Sequence, residues 1–294
     1  MFAIETNNLT KNYGKSRGVK DINLKVDEGE FYGFIGPNGA GKSTTIRLLL
    51  NFIYPTTGGA KIFGMDCVKE SKPIKEQLGY VPSEVNYYRN MKVGDILNYA
   101  QTFKNQKNTE RLDYLCEIFE VEKNKLVGEL SLGNKKKIAI IQALINEPKL
   151  LILDEPTNGL DPLMQKKLFD LLVQENKKGT TIFFSSHNLI EVQKFCHKVA
   201  IIREGSLVEV KKVDELLGSN MVKVKITSEV DLKDLLKGEH TSKIVKEDNK
   251  VTFLFNGDIN TLIKKLSNIK LEELRIEEPS LEDTFMSYYE MGGK

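Results

Sequence analysis

Nine consecutive residues, Gly36-Pro37-Asn38-Gly39-Ala40-Gly41-Lys42-Ser43-Thr44, narrow the possible folds more than any other stretch. They read as G-x-x-x-x-G-K-[ST], the phosphate-binding P-loop. Phe31 to Ile35, just before, is aromatic and β-branched and suits a buried strand. After the loop, Ile46, Leu49, Leu50 and Ile53 recur at helical spacing. The loop therefore joins a strand to a helix start, the context this motif requires.

The chemistry follows from that placement. A helix N-terminus leaves backbone N–H groups unpaired and carries a partial positive charge, which suits the oxygens of a triphosphate tail. Gly36, Gly39 and Gly41 carry no Cβ, so the backbone can curl with its amides inward. Lys42 then reaches the β- and γ-phosphates, and the Ser43 hydroxyl is a ligand for Mg²⁺. Further on, Lys149 to Glu155 is an apolar run ending in two carboxylates. That pattern fits a central parallel strand with its polar end at the ligand edge, where Asp154 is the expected Mg²⁺ partner.

Composition bounds the rest. With 294 residues the chain accommodates one large domain and a small one. Its 43 basic and 41 acidic residues nearly balance, at a formal net charge of +2, which argues against a dedicated nucleic-acid binder. The lysine pairs are scattered and read as solvated faces. Met1 to Leu9 lacks the basic start and apolar core of a signal peptide. No run approaches the roughly 18 apolar residues of a membrane span. Cys67, Cys116 and Cys196 have no C-x-x-C spacing and read as reduced structural thiols of a cytosolic protein.

Taken in order, the chain predicts short strands at Phe2–Glu5 and Val19–Val26, then a turn at Pro55–Gly59 and a strand at Ala60–Phe63. Tyr13 lies in a polar, glycine-containing loop, where an aromatic ring can stack on a base face. Leu78 to Val81 reads as a strand ended by Pro82. Helical spacing runs from Val93 to Phe119, and a long helix spans Lys135 to Asn146, with Ser131 in N-cap position. Thr180 to His187 and Lys198 to Arg203 are further strands, and Glu204-Gly205 is a hairpin turn. This alternation implies a mostly parallel sheet with crossover helices. Beyond Gly218-Ser219-Asn220 the pattern becomes strand-helix-strand-strand-helix-strand. Its first helix carries Leu232, Leu235 and Leu236, and a last helix runs from Ser280 to Tyr289. A ferredoxin-like α+β unit is the expectation for this part.

Collected together, these residues resemble the nucleotide-binding subunit of an ATP-binding cassette (ABC) transporter. The P-loop is followed by a Walker B strand, Leu150 to Asp154, with Glu155 next to it. The D-loop resembles Asn158-Gly159-Leu160-Asp161, the switch histidine His187, and the signature Leu130-Ser131-Leu132-Gly133-Asn134. The resemblance covers roughly residues 1–217. It implies an α/β fold with a RecA-like P-loop NTPase core, an antiparallel β subdomain and a helical subdomain at about 86–146. Domains are expected at 1–218 and 219–294, the second accessory or regulatory.

It also implies roles. Lys42 and the loop residues Gly36, Asn38, Gly39, Ala40, Gly41, Ser43 and Thr44 hold ATP, while Ser43 and Asp154 serve Mg²⁺. Glu155 is the general base, and His187 contacts the γ-phosphate. Tyr13 stacks on adenine. Ser131 and Gly133 reach a partner's nucleotide across a dimer, and Asp161 lines that interface. Two departures stand out. The signature has Leu132 and Asn134 where the family has glycine and glutamine. At the Q-loop the family glutamine is replaced by Ser83, with Glu84 next, so Ser83 would meet Mg²⁺ only through water. Both features, with the 279–285 stretch, are similar to exporter ATPases of the drug, antibiotic and peptide class.

The function this implies is an ATPase powering export through separate membrane-spanning permease subunits. It would act as a dimer with itself or with a second ATPase subunit, cytoplasmic and peripheral on the inner face of the membrane, with no nucleic acid expected. The alternative is a soluble ABC-type ATPase acting on ribosomes or DNA.

Overall fold

The computed structural model describes residues 1–14, 16–103, 108–217, 221–229, 240–267 and 269–279. Contacts divide the chain into two compact units, Met1–Lys211 and Lys212–Lys294.

The first unit holds two sheets. One is antiparallel and built around β1 (Phe2–Tyr13), which pairs with β2 (Ser16–Ile22), β3 (Lys25–Asp27) and β5 (Thr57–Ile62); β6 (Met65–Asp66) adds to β5. The other contains β4 (Phe31–Ile35), β7 (Leu78–Val81), β8 (Leu150–Asp154), β9 (Thr181–Ser186), β10 (Lys198–Arg203) and β11 (Ser206–Lys212). Its order is β11-β10-β4-β9-β8-β7, and the pairings from β10 through β7 are parallel. Every residue of β4, β8 and β9 is buried, as expected of strands covered on both faces. The helices are α1 (Lys42–Leu49), α2 (Ser71–Lys75), α3 (Val93–Gln101), α4 (Thr109–Ile118), α5 (Leu132–Leu144), α6 (Pro162–Lys177) and α7 (Leu189–Phe195).

Several boundaries differ from the sequence reading. β1 is 12 residues long rather than four, and Tyr13 is its last residue rather than part of a loop. Asn8 takes a left-handed φ of 45° in its middle, which lets one strand serve three partners with shifted registers. The expected Val19–Val26 strand is broken between β2 and β3. The buried Thr6 hydroxyl stands in the gap, donating to Ile22 O at 2.8 Å and accepting from Leu24 N at 2.7 Å. β5 starts at Thr57, inside the expected turn, because Gly58 lies flat on β1; a Cβ there would stand 2.1 Å from Asn8 O. Helix α5 starts three residues early, since Ser131 caps it by accepting from Asn134 N at 3.3 Å.

The second unit contains α8 (Val213–Leu217), β12 (Met221–Thr227), β13 (Thr241–Glu247), β14 (Lys250–Asn256), α9 (Ile259–Leu266) and β15 (Glu273–Glu277). Its antiparallel sheet has the order β13-β14-β12-β15. That is the ferredoxin-like order, with the two central strands flanked by the second and fourth. Asp258 caps α9 through Asn260 N and Thr261 N. The core is Val224, Ile226, Val251, Phe253 and Phe255 against Leu262 and Leu266. The expected helix with Leu232, Leu235 and Leu236, the Gly218–Asn220 boundary and the helix from Ser280 to Tyr289 lie outside the described residues.

Candidate functional site

The P-loop leaves β4 at Gly36 and enters α1 at Lys42. Gly36 is packed from behind; a Cβ would stand 2.3 Å from Ile202 O. Gly39 and Gly41 have φ of 77° and 112°, values that L side chains resist. The loop is pinned from outside by the Glu204-Gly205 turn, whose Gly205 N donates to Ala40 O at 2.9 Å. Gly41 also faces Val19 of β2, 2.6 Å from where its Cβ would be.

A cleft of about 360 Å³ lies over the loop. Asn38, Gly39, Gly41, Lys42, Ser43 and Thr44 line it, joined by Ser83 from beyond β7 and by Glu155 from beyond β8. Pro37, Asn158, Arg17 and Gly18 line it too. The last two carried no motif signal. They arrive because β1 and β2 form a hairpin pairing Tyr13 with Ser16 and Lys11 with Val19.

The carboxylates sit where β8 and β9 end side by side. Asp154 pairs in register with Ser185 and accepts from Ser185 Oγ at 2.7 Å, fully buried. Glu155 follows with a left-handed φ of 48°. Its N–H donates to Ser185 O and Ser185 Oγ at 3.2 and 3.1 Å. Its side chain bridges two groups: Oε1 is 3.1 Å from Lys42 Nζ, and Oε2 is 2.8 Å from His187 Nδ1. Lys42 Nζ also donates to Gly36 O at 2.7 Å and Pro37 O at 3.3 Å. Ser186 Oγ donates to Glu191 Oε2 at 2.9 Å behind His187, and burial pushes the Glu191 carboxyl above its ordinary pKa.

Lys136 of α5 is buried and donates to Pro82 O and Ser83 O. Burial draws its pKa down to about 8, against the upward pull of Asp154 and Glu155. The sequence pattern did not mark it; it is one of three successive lysines, Lys135 to Lys137.

Gly36, Ala40, Asp154 and His187 are not among the residues that line the cleft, though each neighbours one that does. Tyr13, Ser131, Gly133 and Asp161 are not among its lining. Tyr13 is 43% exposed, with Lys11 Nζ 5.4 Å from its ring centre. Gly133 lies against the D-loop of its own chain; a Cβ would stand 2.4 Å from Gly159 O. Leu132 beside it is 76% exposed. Asp161 caps α6 by accepting from Met164 N at 3.0 Å. Among the described residues no group of three or more His, Cys, Asp or Glu is arranged to hold a metal. No described helix is long and apolar enough to cross a membrane.

The family model for ABC transporters matches residues 19–158. Bacitracin transport ATP-binding protein BcrA of Bacillus licheniformis is 41% identical over 222 residues, covering 74% of this chain and 72% of that protein. The protein of the same name from Enterococcus faecalis is 31% identical over 301 residues, covering 99% of this chain and 98% of that one. A solved dimeric structure of a bacterial ABC transporter cassette superposes with a TM-score of 0.66 at 25% identity, covering 71% of this chain and 98% of that one. Identity of 41% to one such protein, and likeness to another across 99% of its own length, mark this chain as a member of the ABC transporter family, an ATP-binding subunit that hydrolyses ATP.

Proposed function

We propose that the chain hydrolyses Mg-ATP in a site completed by a second cassette, and so powers export through separate membrane-spanning subunits. The observation that carries the reading is the placement of Glu155. Its carboxylate stands at the cleft, 3.1 Å from Lys42 Nζ and 2.8 Å from His187 Nδ1.

In this reading Lys42 and the amides of Gly36, Asn38, Gly39, Ala40, Gly41, Ser43 and Thr44 hold the phosphates. Lys42 Nζ stands among the loop carbonyls of Gly36 and Pro37 and the Glu155 carboxylate, where it would meet phosphate oxygens. The donor set fits Mg²⁺, a hard cation that takes a hydroxyl and one or two carboxylates and keeps water and phosphate oxygens. Ser43 and Asp154 would hold it, with Ser83 acting through water. Bound there, Mg²⁺ neutralises charge on the phosphoryl group being transferred. Glu155 accepts the proton of the attacking water, and His187 holds the Glu155 carboxylate and meets the γ-phosphate. Tyr13, half exposed at the end of β1, stacks on adenine. Ser131 and Gly133 meet the partner's nucleotide, and Asp161 lies at the interface between cassettes. The solved dimeric cassette supports this pairing.

Export is favoured because the relatives bear the names of bacitracin transport proteins. The same names support separate membrane-spanning partner subunits, with this chain working beside them at the inner face of the membrane. Mg-ATP hydrolysis over a range of protein concentrations, beside Glu155→Gln, tests the catalytic reading. A rate per subunit that climbs with concentration and is abolished by the substitution is expected. Isolation from membranes with a multi-span protein is expected as well; recovery only with ribosomes or DNA would overturn the transport reading.

A further inference from the structure

At Gly79, helix α5 lies so close to β7 that no side chain fits between them. A Cβ on Gly79 would stand 2.2 Å from Ala143 O. Past β7 the chain turns at Pro82 into a strap, residues 82–91, that lines the nucleotide cleft at Ser83. Two side-chain ties hold it to α5. Lys136 Nζ donates to Pro82 O at 2.7 Å and to Ser83 O at 2.9 Å. Nearer the other end of α5, Gln142 Oε1 accepts from the Tyr87 hydroxyl.

Lys136 is 2% exposed. An ammonium kept that dry and bonded to neutral carbonyls carries a desolvation cost that the charges of Asp154 and Glu155 offset only in part. It is also redundant for packing, because Ile138, Ile140, Ile141 and Leu144 already anchor α5 in the apolar interior. What it contributes is a defined position for two carbonyls at the cleft wall. The same helix begins at Ser131 and Gly133, the latter backed onto Gly159 O. Ser83 is short, so its backbone is the strap's main handle.

We propose that Lys136 is a positioning residue for ATP hydrolysis: its ammonium locks the Ser83 edge of the nucleotide cleft to the helix that begins at Ser131, so that the two shift as one body. The proposal rests on the ATPase reading above and deepens it. Lys136 is not among the residues lining the cleft; it acts through the backbone of Ser83.

The test uses the full chain and the variants Lys136→Met and Lys136→Arg, with two readouts. The first is steady-state hydrolysis. Misplacing a cleft wall by about 1 Å costs turnover on the order of 10- to 100-fold. Lys136→Met is expected to lose kcat on that scale while KM for Mg-ATP stays within about threefold. The second is amide hydrogen exchange across residues 83–91 without nucleotide, which needs no turnover. Exchange there is expected to rise about tenfold or more, while β8 keeps the parent rate. Lys136→Arg, which restores the donors, is expected to bring both readouts most of the way back. Unchanged kcat and exchange in Lys136→Met would overturn the proposal. So would a joint loss of kcat, KM and β8 protection, which is general loosening, or a Lys136→Arg no better than Lys136→Met. A parent chain that hydrolyses no ATP sinks the catalytic reading instead; the exchange readout then decides the Lys136 tie by itself.

Discussion

Glu155 carries a charge that is partnered at both oxygens, by Lys42 and by His187. Replacing it with glutamine keeps the shape and removes the proton acceptor. Glu155→Gln is expected to bind ATP and to lose turnover by about 10²–10⁴-fold, read by nucleotide binding beside phosphate release. Gly133→Ala tests a different contact. Its Cβ would stand 2.4 Å from Gly159 O, so the D-loop must yield. An overpacking cost of about 1–3 kcal/mol is expected in thermal unfolding, together with reduced kcat at retained ATP affinity. At this scale the sequence was informative wherever chemistry is written as consecutive residues. Gly36 to Thr44 and Asp154-Glu155 are such stretches, and the structure assembles most of them at one cleft. Arg17 and Lys136 were illegible because their places at the cleft come from a hairpin register and from a helix bonded to a strap, neither of which leaves a spacing in the chain.

Among the elements, the buried strands were the most legible. β4 and β8 are nearly continuous apolar runs and β9 carries one at Ile182 to Phe184, a pattern that suits strands covered on both faces. The antiparallel sheet was harder to read, because β1 is mixed in polarity and bends at Asn8. Its break between β2 and β3 depends on one hydroxyl. Thr6→Val keeps the volume but removes the bonds to Ile22 O and Leu24 N. A loss of about 1–3 kcal/mol is expected from urea unfolding, the cost of stranding buried backbone groups. Helix starts were legible where a capping side chain exists, as at Ser131, and shifted by the width of the cap itself.

At the scale of the whole molecule, the described residues of each unit include an apolar cluster, one around Tyr32, Phe34 and Phe183, the other around Val224 and Phe253. Phe253 is buried in the second. Phe253→Ala is expected to cost about 3–5 kcal/mol in that unit. Calorimetry should show it as one transition moved to lower temperature while ATP affinity stays at the parent value. The alternation of strands and helices made the parallel sheet legible, and the repeat of alternating strands made the second unit legible as a four-stranded sheet. The sheet order of that unit has a mechanical corollary. β12 and β15 run antiparallel, with Lys223 opposite Glu277, so the first of these strands begins at the corner where the last one ends. Tension applied between those two ends would therefore peel their ladder one rung at a time instead of shearing all rungs together. Under load the second unit is a zip fastener, pulled from its open end.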